Sequence, residues 1–326
     1  MQTPLDIDYE DNYNRFANGL QFVRLIGDNM NTFKKAVASA ALISVTLSLA
    51  ACSAGAPKAA DESYDIVASF YPMYVLTLNI AGGIDGVTVS SMSDPNMGCI
   101  HDHVFSTEDL KQLEGADVFV ENGLDLEVFN DEILAAYPDL DIIDASANVK
   151  DAPADEEEVN GHVWTSIDDY ELQIKQVSVE LQKLDPAHAE QYAANEKAYL
   201  EKIDALRSES EDVIAALNGT SVLVLDETLP SFCVYAGMDY ITVETDHENE
   251  ALSAGDIAEI IEEMNENGIG IIFVGADGDT ALAESIASET GAVICTLNTC
   301  MTGDESENAY IDQMEENFKT LSDIIE

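Results

Sequence analysis

Positive charge is scarce in this chain: 13 lysines and arginines stand against 64 aspartates and glutamates, a formal net charge of −51 over 326 residues. A surface so acidic repels a phosphate backbone, which excludes nucleic acid as a partner and leaves a field that gathers cations. Histidine is sparse as well, with five in all, and there is one tryptophan. Long apolar runs are missing. The run from Ala36 to Ala51 falls short of the roughly 20 residues that a membrane-spanning helix needs. What remains is ordinary apolar content in a chain long enough for two folded domains.

The short apolar run carries its own message. Lys34 and Lys35 precede it, small residues follow, and Leu49-Ala50-Ala51-Cys52 closes it. This is the layout of a secretory signal, and its end resembles the bacterial lipobox, in which the cysteine is lipidated and becomes the first mature residue. The expected processing is a signal peptide over 30–51 and a lipid anchor at Cys52, with translation starting at Met30 and residues 1–29 a non-native upstream extension. Several acyl chains, at ~0.8 kcal/mol per buried methylene, hold a protein stably at a membrane. Residues 52–63, rich in Ala, Gly, Ser and Pro, read as a flexible tether. The protein is therefore expected on the extracytoplasmic face of the cell membrane. Outside the cell disulfides are permitted, and Cys99, Cys233, Cys295 and Cys300 allow three pairings that sequence does not choose among. Cys99 and Cys300 also lie close in sequence to candidate metal ligands, which leaves metal contact open for them.

Beyond the tether, β-branched runs alternate with helical patterns in both halves of the chain. Strands are expected at 66–70, 87–92, 117–121 and 141–144, then at 222–226, 240–244, 270–274 and 293–297. Helical patterns cover 106–113, 256–267 and 281–290. This alternation predicts an α/β fold of two lobes, 64–168 and 218–326, each with a mainly parallel sheet. A long helical segment over 169–217 joins them. Asp185-Pro186 predicts a fresh helix start, and Tyr192, Tyr199, Ile203, Leu206, Val213 and Leu217 form one apolar stripe after it. Such a helix, ~48 Å long at 1.5 Å per residue, reaches across both lobes as a strut. His188, in its first turn, is expected to be solvated.

The chemistry concentrates in the stretch 91–110, where Cys99, His101, Asp102 and His103 fall within five residues. Imidazole, thiolate and carboxylate are the side chains that bind divalent metals. Partners lie elsewhere: His162 beside Trp164, Asp226 and Glu227 at the end of one expected strand, and Asn298 at the end of another. In open α/β sheets ligands bind beyond the carboxyl ends of the strands, and His101, Asp226 and Asn298 all follow strands.

Together these segments resemble the zinc- and manganese-binding lipoproteins that deliver metal to ABC importers. Ile66 to Tyr74 is similar to the opening strand and Phe-Tyr-Pro turn of that family. Cys99 to Leu110 resembles its first histidine segment, with Asp109 eight residues after His101, and Gly161-His-Val-Trp resembles its second. Asp226-Glu-Thr-Leu-Pro-Ser and Leu297-Asn-Thr resemble its third and fourth ligand segments, and the stretch from Asp185 its strut helix. The resemblance implies two lobes on a helical backbone, no catalysis, and Zn2+ or Mn2+ as cargo, with Fe2+ admissible. It places His101, His162, Asp226 and Asn298 as ligands and implies an ABC permease and its ATPase as partners of a monomer; His103 and Glu227 are the candidates for additional ligands. Asp102 and Asp109 are then structural.

Two departures stand out: an aspartate in the third place, where zinc members carry histidine, and a neutral asparagine in the fourth, where nearly all carry aspartate. Two imidazoles with oxygen donors lean toward manganese or iron. The missing charge leans toward weaker binding, which His103, Glu227, His247 or Glu248 can offset. The acidic run 155–158 reads as a solvated loop. Rival readings are a relative turned sensor or adhesin, and a metallohydrolase with Glu227 as general base.

Overall fold

A computed structural model describes residues 63–101, 103–150, 152–153, 159–243, 252–276, 278 and 280–325. The signal peptide 30–51, Cys52, the tether up to residue 62, Asp102, the acidic run 155–158, His247 and Glu248 lie outside the described residues. Two parallel sheets organise the rest. The first takes β1 (Tyr64–Ala68), β2 (Val87–Ser91), β3 (Val118–Glu121) and β4 (Asp141–Asp144) in the order β2-β1-β3-β4. The second takes β5 (Ser221–Val224), β6 (Asp239–Thr242), β7 (Ile271–Gly275) and β8 (Val293–Leu297) in the matching order β6-β5-β7-β8. Every pairing is parallel. In each sheet the order reverses between the first strand and the third, which opens a crevice beyond their carboxyl ends.

Parallel sheets need cover on both faces, and the strand sequences provide it. In β7, Ile272 and Val274 join a cluster with Met264, Ala283 and Ile286, while Phe273 between them points the other way into the main core. Helices α7 (Ala254–Asn267) and α8 (Ala281–Thr290) supply that first cluster; α6 (Pro230–Ala236) and α9 (Ala309–Ile325) cover the opposite face. The first sheet carries α1 (Tyr71–Ala81), α2 (Thr107–Gln112) and α3 (Asn130–Ala136). The main core runs without a break from Ile66 and Phe119 in the first lobe to Phe232, Phe273 and Phe318 in the second.

Helices α4 (Ile167–Leu184) and α5 (Ala189–Leu217) lie between the lobes. They pack antiparallel: Tyr170 meets Tyr199 hydroxyl to hydroxyl at 3.1 Å, and Ser178 Oγ donates to Glu196 at 2.7 Å. The strut is thus α5 alone, 29 residues and ~44 Å long. Tyr192, Tyr199, Ile203, Leu206 and Leu217 of the expected stripe are buried. The helix starts later than the Asp185-Pro186 signal predicts, because Asp185 is committed to the turn. Its N–H closes α4 on the Leu181 carbonyl, and its carboxylate takes hydrogen bonds from His188 Nδ1 at 2.5 Å and the Tyr192 hydroxyl at 2.8 Å. His188 is a half-buried cap residue at the start of α5, not a solvated side chain.

Candidate metal centre

Three loops converge between the lobes. The first leaves β2 and carries Cys99 and His101; the second joins β4 to α4 and carries Asn160, His162 and Trp164; the third leaves β5 and carries Asp226 and Glu227. The second loop is fixed from the opposite lobe. Trp164, fully buried, donates its indole N–H to the Thr299 carbonyl at 2.9 Å, and its own carbonyl accepts from the Tyr310 hydroxyl at 3.0 Å. Thr165 Oγ1 donates to the Thr228 carbonyl and Ser231 Oγ to the His162 carbonyl, both at 2.7 Å. Phe70 of the Phe-Tyr-Pro turn packs edge-on against the Trp164 ring at 5.2 Å.

Among the described residues, Cys99, His101, His162 and Glu227 form a group whose donor atoms all lie within 4.8 Å of one another. The thiol sulfur is 2.8 Å from His101 Nδ1 and 2.9 Å from His162 Nε2. Glu227 Oε1 stands 3.7 Å from His101 Nε2 and 3.6 Å from His162 Nε2. The imidazoles meet edge to face, centroids 5.5 Å apart. His162 is buried, the thiol and His101 are half-buried, and Glu227 faces solvent, so the group opens outward along the glutamate.

Asn160 orients this group. Its Oδ1 accepts from both the His162 backbone N–H at 2.9 Å and the Nδ1–H at 2.8 Å, while its Nδ2 donates to the Glu227 carbonyl at 2.8 Å. A hydrogen bond at Nδ1 fixes the tautomer and turns the Nε2 lone pair toward the group. Burial first, and then the neighbouring His101, push the His162 pKa down to about 3, which keeps the ring neutral and ready to donate its lone pair.

The other expected ligands sit as follows. Asp226 is outside the four-residue group: its Oδ1 accepts from the Thr228 N–H at 3.0 Å and hydroxyl at 2.5 Å, and Oδ2 faces Gly275. That glycine ends β7, and a β-carbon there would stand 2.0 Å from Oδ2. Asn298 is held against α9. Its N–H donates to Asn317 Oδ1 at 2.6 Å, and its Nδ2 lies 3.1 Å from Glu316 Oε2 and 3.4 Å from the Gln313 carbonyl. His103 Nε2 is 3.0 Å from Asp109 Oδ2. Asp109 in turn closes the capping box of α2 with Ser106; burial raises its pKa, but the Ser106 hydroxyl and amide and His103 outweigh that and hold it below the usual carboxylate value. All four described cysteines are thiols rather than disulfides, and burial pushes Cys233, Cys295 and Cys300 up to about 12.

Sequence reasoning held Glu227 in reserve and gave Asn160 no role. The signal for the first was present in Asp226-Glu-Thr: an aspartate two residues before a threonine closes on it locally, which leaves the next side chain free to point elsewhere. For Cys99 the signal was its spacing of two from His101, which puts both side chains on one side of an extended backbone.

Two parallel sheets with imidazole, thiol and carboxylate donors gathered between them define a two-lobed receptor for a small cation. Comparison with known proteins agrees. The profile of the ZnuA family, described as the periplasmic component A of a zinc-uptake complex, matches residues 66–324. The chain belongs to this family, which is one of binding components and not of enzymes. The manganese-binding lipoprotein MntA of Halalkalibacterium halodurans is 24% identical over 298 residues, covering 88% of this chain and 98% of that protein. The iron-binding protein YfeA of Yersinia pestis is 26% identical over 253 residues, covering 76% and 80%. Among solved structures, FpvC of Pseudomonas aeruginosa in complex with Mn2+ superposes with a TM-score of 0.71 at 26% identity, covering 81% of this chain and 98% of that one.

Proposed function

We propose that this protein captures one divalent transition metal ion, Zn2+ or Mn2+ with Fe2+ admissible, between its lobes outside the cytoplasm and hands it to an ABC importer. The observation that carries the reading is the convergence of His101 and His162 from one lobe with Glu227 from the other. An ion held there is cargo that bridges both lobes. The acidic surface raises the local cation concentration, Glu227 meets the arriving ion at the solvent edge, and His162, neutral and tautomer-fixed, receives it. Asp226 and Asn298, the two further ligands that the family resemblance assigns, also hold the frame: Asp226 shapes the turn that presents Glu227, and Asn298 ties β8 to α9. Lipidation at Cys52 keeps the domain at the membrane beside the permease and its ATPase, and the protein acts as a monomer. The domain limits are the lobes 64–168 and 218–326 with the segment 169–217 between them.

A titration of the purified chain with zinc and with manganese tests this. One equivalent of either ion surviving dialysis, and lost in His101→Ala and His162→Ala, supports capture. No bound ion and no thermal shift with zinc, manganese or iron refutes it.

A further inference from the structure

Cys99 adds sulfur to a donor set that the family resemblance builds from nitrogen and oxygen alone. We propose that the Cys99 thiolate is itself a metal ligand, so that the site is a thiolate–bis-imidazole–carboxylate shell that selects zinc over manganese. The proposal rests on the capture reading above and goes further in naming the ion.

Hydrogen-bond direction makes the first argument. Asn160 Oδ1 takes the His162 Nδ1 proton, so Nε2 presents a lone pair. The contact of 2.9 Å between that nitrogen and the Cys99 sulfur is then an S–H donor meeting an acceptor. A cation shared by the two atoms takes the place of this proton. As the metal–sulfur bond forms, the thiol releases its proton to water, and no oxidant or reductant is involved.

Distance makes the second argument. With zinc–nitrogen and zinc–oxygen bonds of ~2.0–2.2 Å and zinc–sulfur of ~2.3 Å, ligand atoms at tetrahedral angles stand ~3.4 Å apart for N···O and ~3.6 Å for N···S. Glu227 Oε1 lies at 3.6 and 3.7 Å from the two imidazoles, close to that edge. The sulfur, 2.9 Å from His162 Nε2, stands inside it and needs to withdraw by ~0.7 Å; its 2.8 Å contact on His101 is with Nδ1, the ring nitrogen opposite the Nε2 that faces Glu227, so His101 offers the ion one nitrogen only. Cys99 is only half-buried in a stretch without helix or strand, so the withdrawal disturbs no ladder of backbone bonds. Zinc accepts sulfur and nitrogen in a four-coordinate shell, whereas manganese favours carboxylate, carbonyl and water. The charge argument points the same way: thiolate plus Glu227 carboxylate neutralise a divalent ion without help from Asn298.

Cobalt(II) titration of the full chain reads the sulfur directly. The proposal expects a thiolate-to-cobalt charge-transfer band that saturates at one equivalent, absent from Cys99→Ser while that variant still binds cobalt. The ratio of zinc to manganese affinity should fall by about tenfold or more in Cys99→Ser and further in Cys99→Asp, which restores an oxygen donor. In the unmutated chain, zinc should protect Cys99 from iodoacetamide, a readout that needs no variant to fold. Stoichiometric binding without the band and without protection overturns the sulfur ligand and leaves capture standing, with Cys99 reduced to a hydrogen-bond partner of His101. Absence of any cobalt, zinc or manganese binding overturns both.

Discussion

Asn160→Ala isolates the orienting role of one side chain that touches no ion. The substitution removes three hydrogen bonds at once: two into Oδ1 from His162 and one from Nδ2 to the Glu227 carbonyl. Loss of the Nδ1 partner frees the His162 ring to rotate and to exchange tautomers. Loss of the Nδ2 bond unties the turn that carries Glu227 from the loop that carries His162. Removing a partner that orients a ligating histidine weakens metal binding by about 10- to 100-fold, equivalent to about 1.4–2.8 kcal/mol. Folding stability should fall less, by about 1 kcal/mol, since Asn160 is only partly buried. Competition of the full chain against a chelator of known affinity measures the first quantity, and urea unfolding without metal the second. Asn160→Asp keeps the acceptor for His162 and loses only the donor to Glu227, so its affinity should lie between the two. If Asn160→Ala binds zinc as tightly as the parent, the positions of His162 and Glu227 are set elsewhere and the account of the site is wrong.

Three further outcomes test the frame around the site. Gly275→Ala drives a β-carbon to 2.0 Å from Asp226 Oδ2 and 2.9 Å from Thr299 Cγ2, so it should lower stability by about 1–3 kcal/mol and weaken metal binding as the Asp226–Glu227 turn shifts; an unchanged melting temperature refutes the close approach. Asp109→Ala opens the capping box of α2 and should cost about 1 kcal/mol by chemical denaturation. Because the partners of Asp109 hold its folded pKa below its unfolded one, this contribution is present at neutral pH and disappears as pH falls below the ordinary carboxylate range. Glu121 behaves in the opposite sense: burial, and then the charge of Glu127, push its pKa up to about 8. The folded state therefore holds a proton that the unfolded chain has released, and stability falls as pH rises from about 4.5 to about 8. Glu121→Gln should flatten that slope and stabilise the protein at pH 8 by about 1 kcal/mol or more; an unaltered pH profile of the melting temperature contradicts it.

The two-lobed frame was legible because its signals are local. Each strand is a short β-branched run and the strut is a stripe of apolar residues at helical spacing, so alternation alone predicts parallel sheets and a spanning helix. Both histidines were legible from their flanks, His101 by its distance to Asp109 and His162 by its tryptophan. Asp226 and Glu227 were harder to place, since adjacent side chains diverge and the turn decides where each one points. Thr228 holds one oxygen of Asp226, and Glu227 stands against the two imidazoles. Asn298 depends on Asn317 and Glu316, 19 and 18 residues later on α9, a contact that no local pattern announces. The start of α5 lies a few residues beyond the Asp185-Pro186 signal for a similar reason: Tyr192 and His188 draw the Asp185 carboxylate into the turn.

The central claim is that one ion sits where His101, His162 and Glu227 meet. A crystal structure of the zinc-loaded chain with anomalous data at the zinc edge tests it most directly. The account predicts one strong anomalous peak between the lobes, within bonding distance of His162 Nε2 and of the Glu227 carboxylate. A peak on Asp226 and Asn298 with Glu227 turned to solvent, or no peak in the cleft, contradicts it.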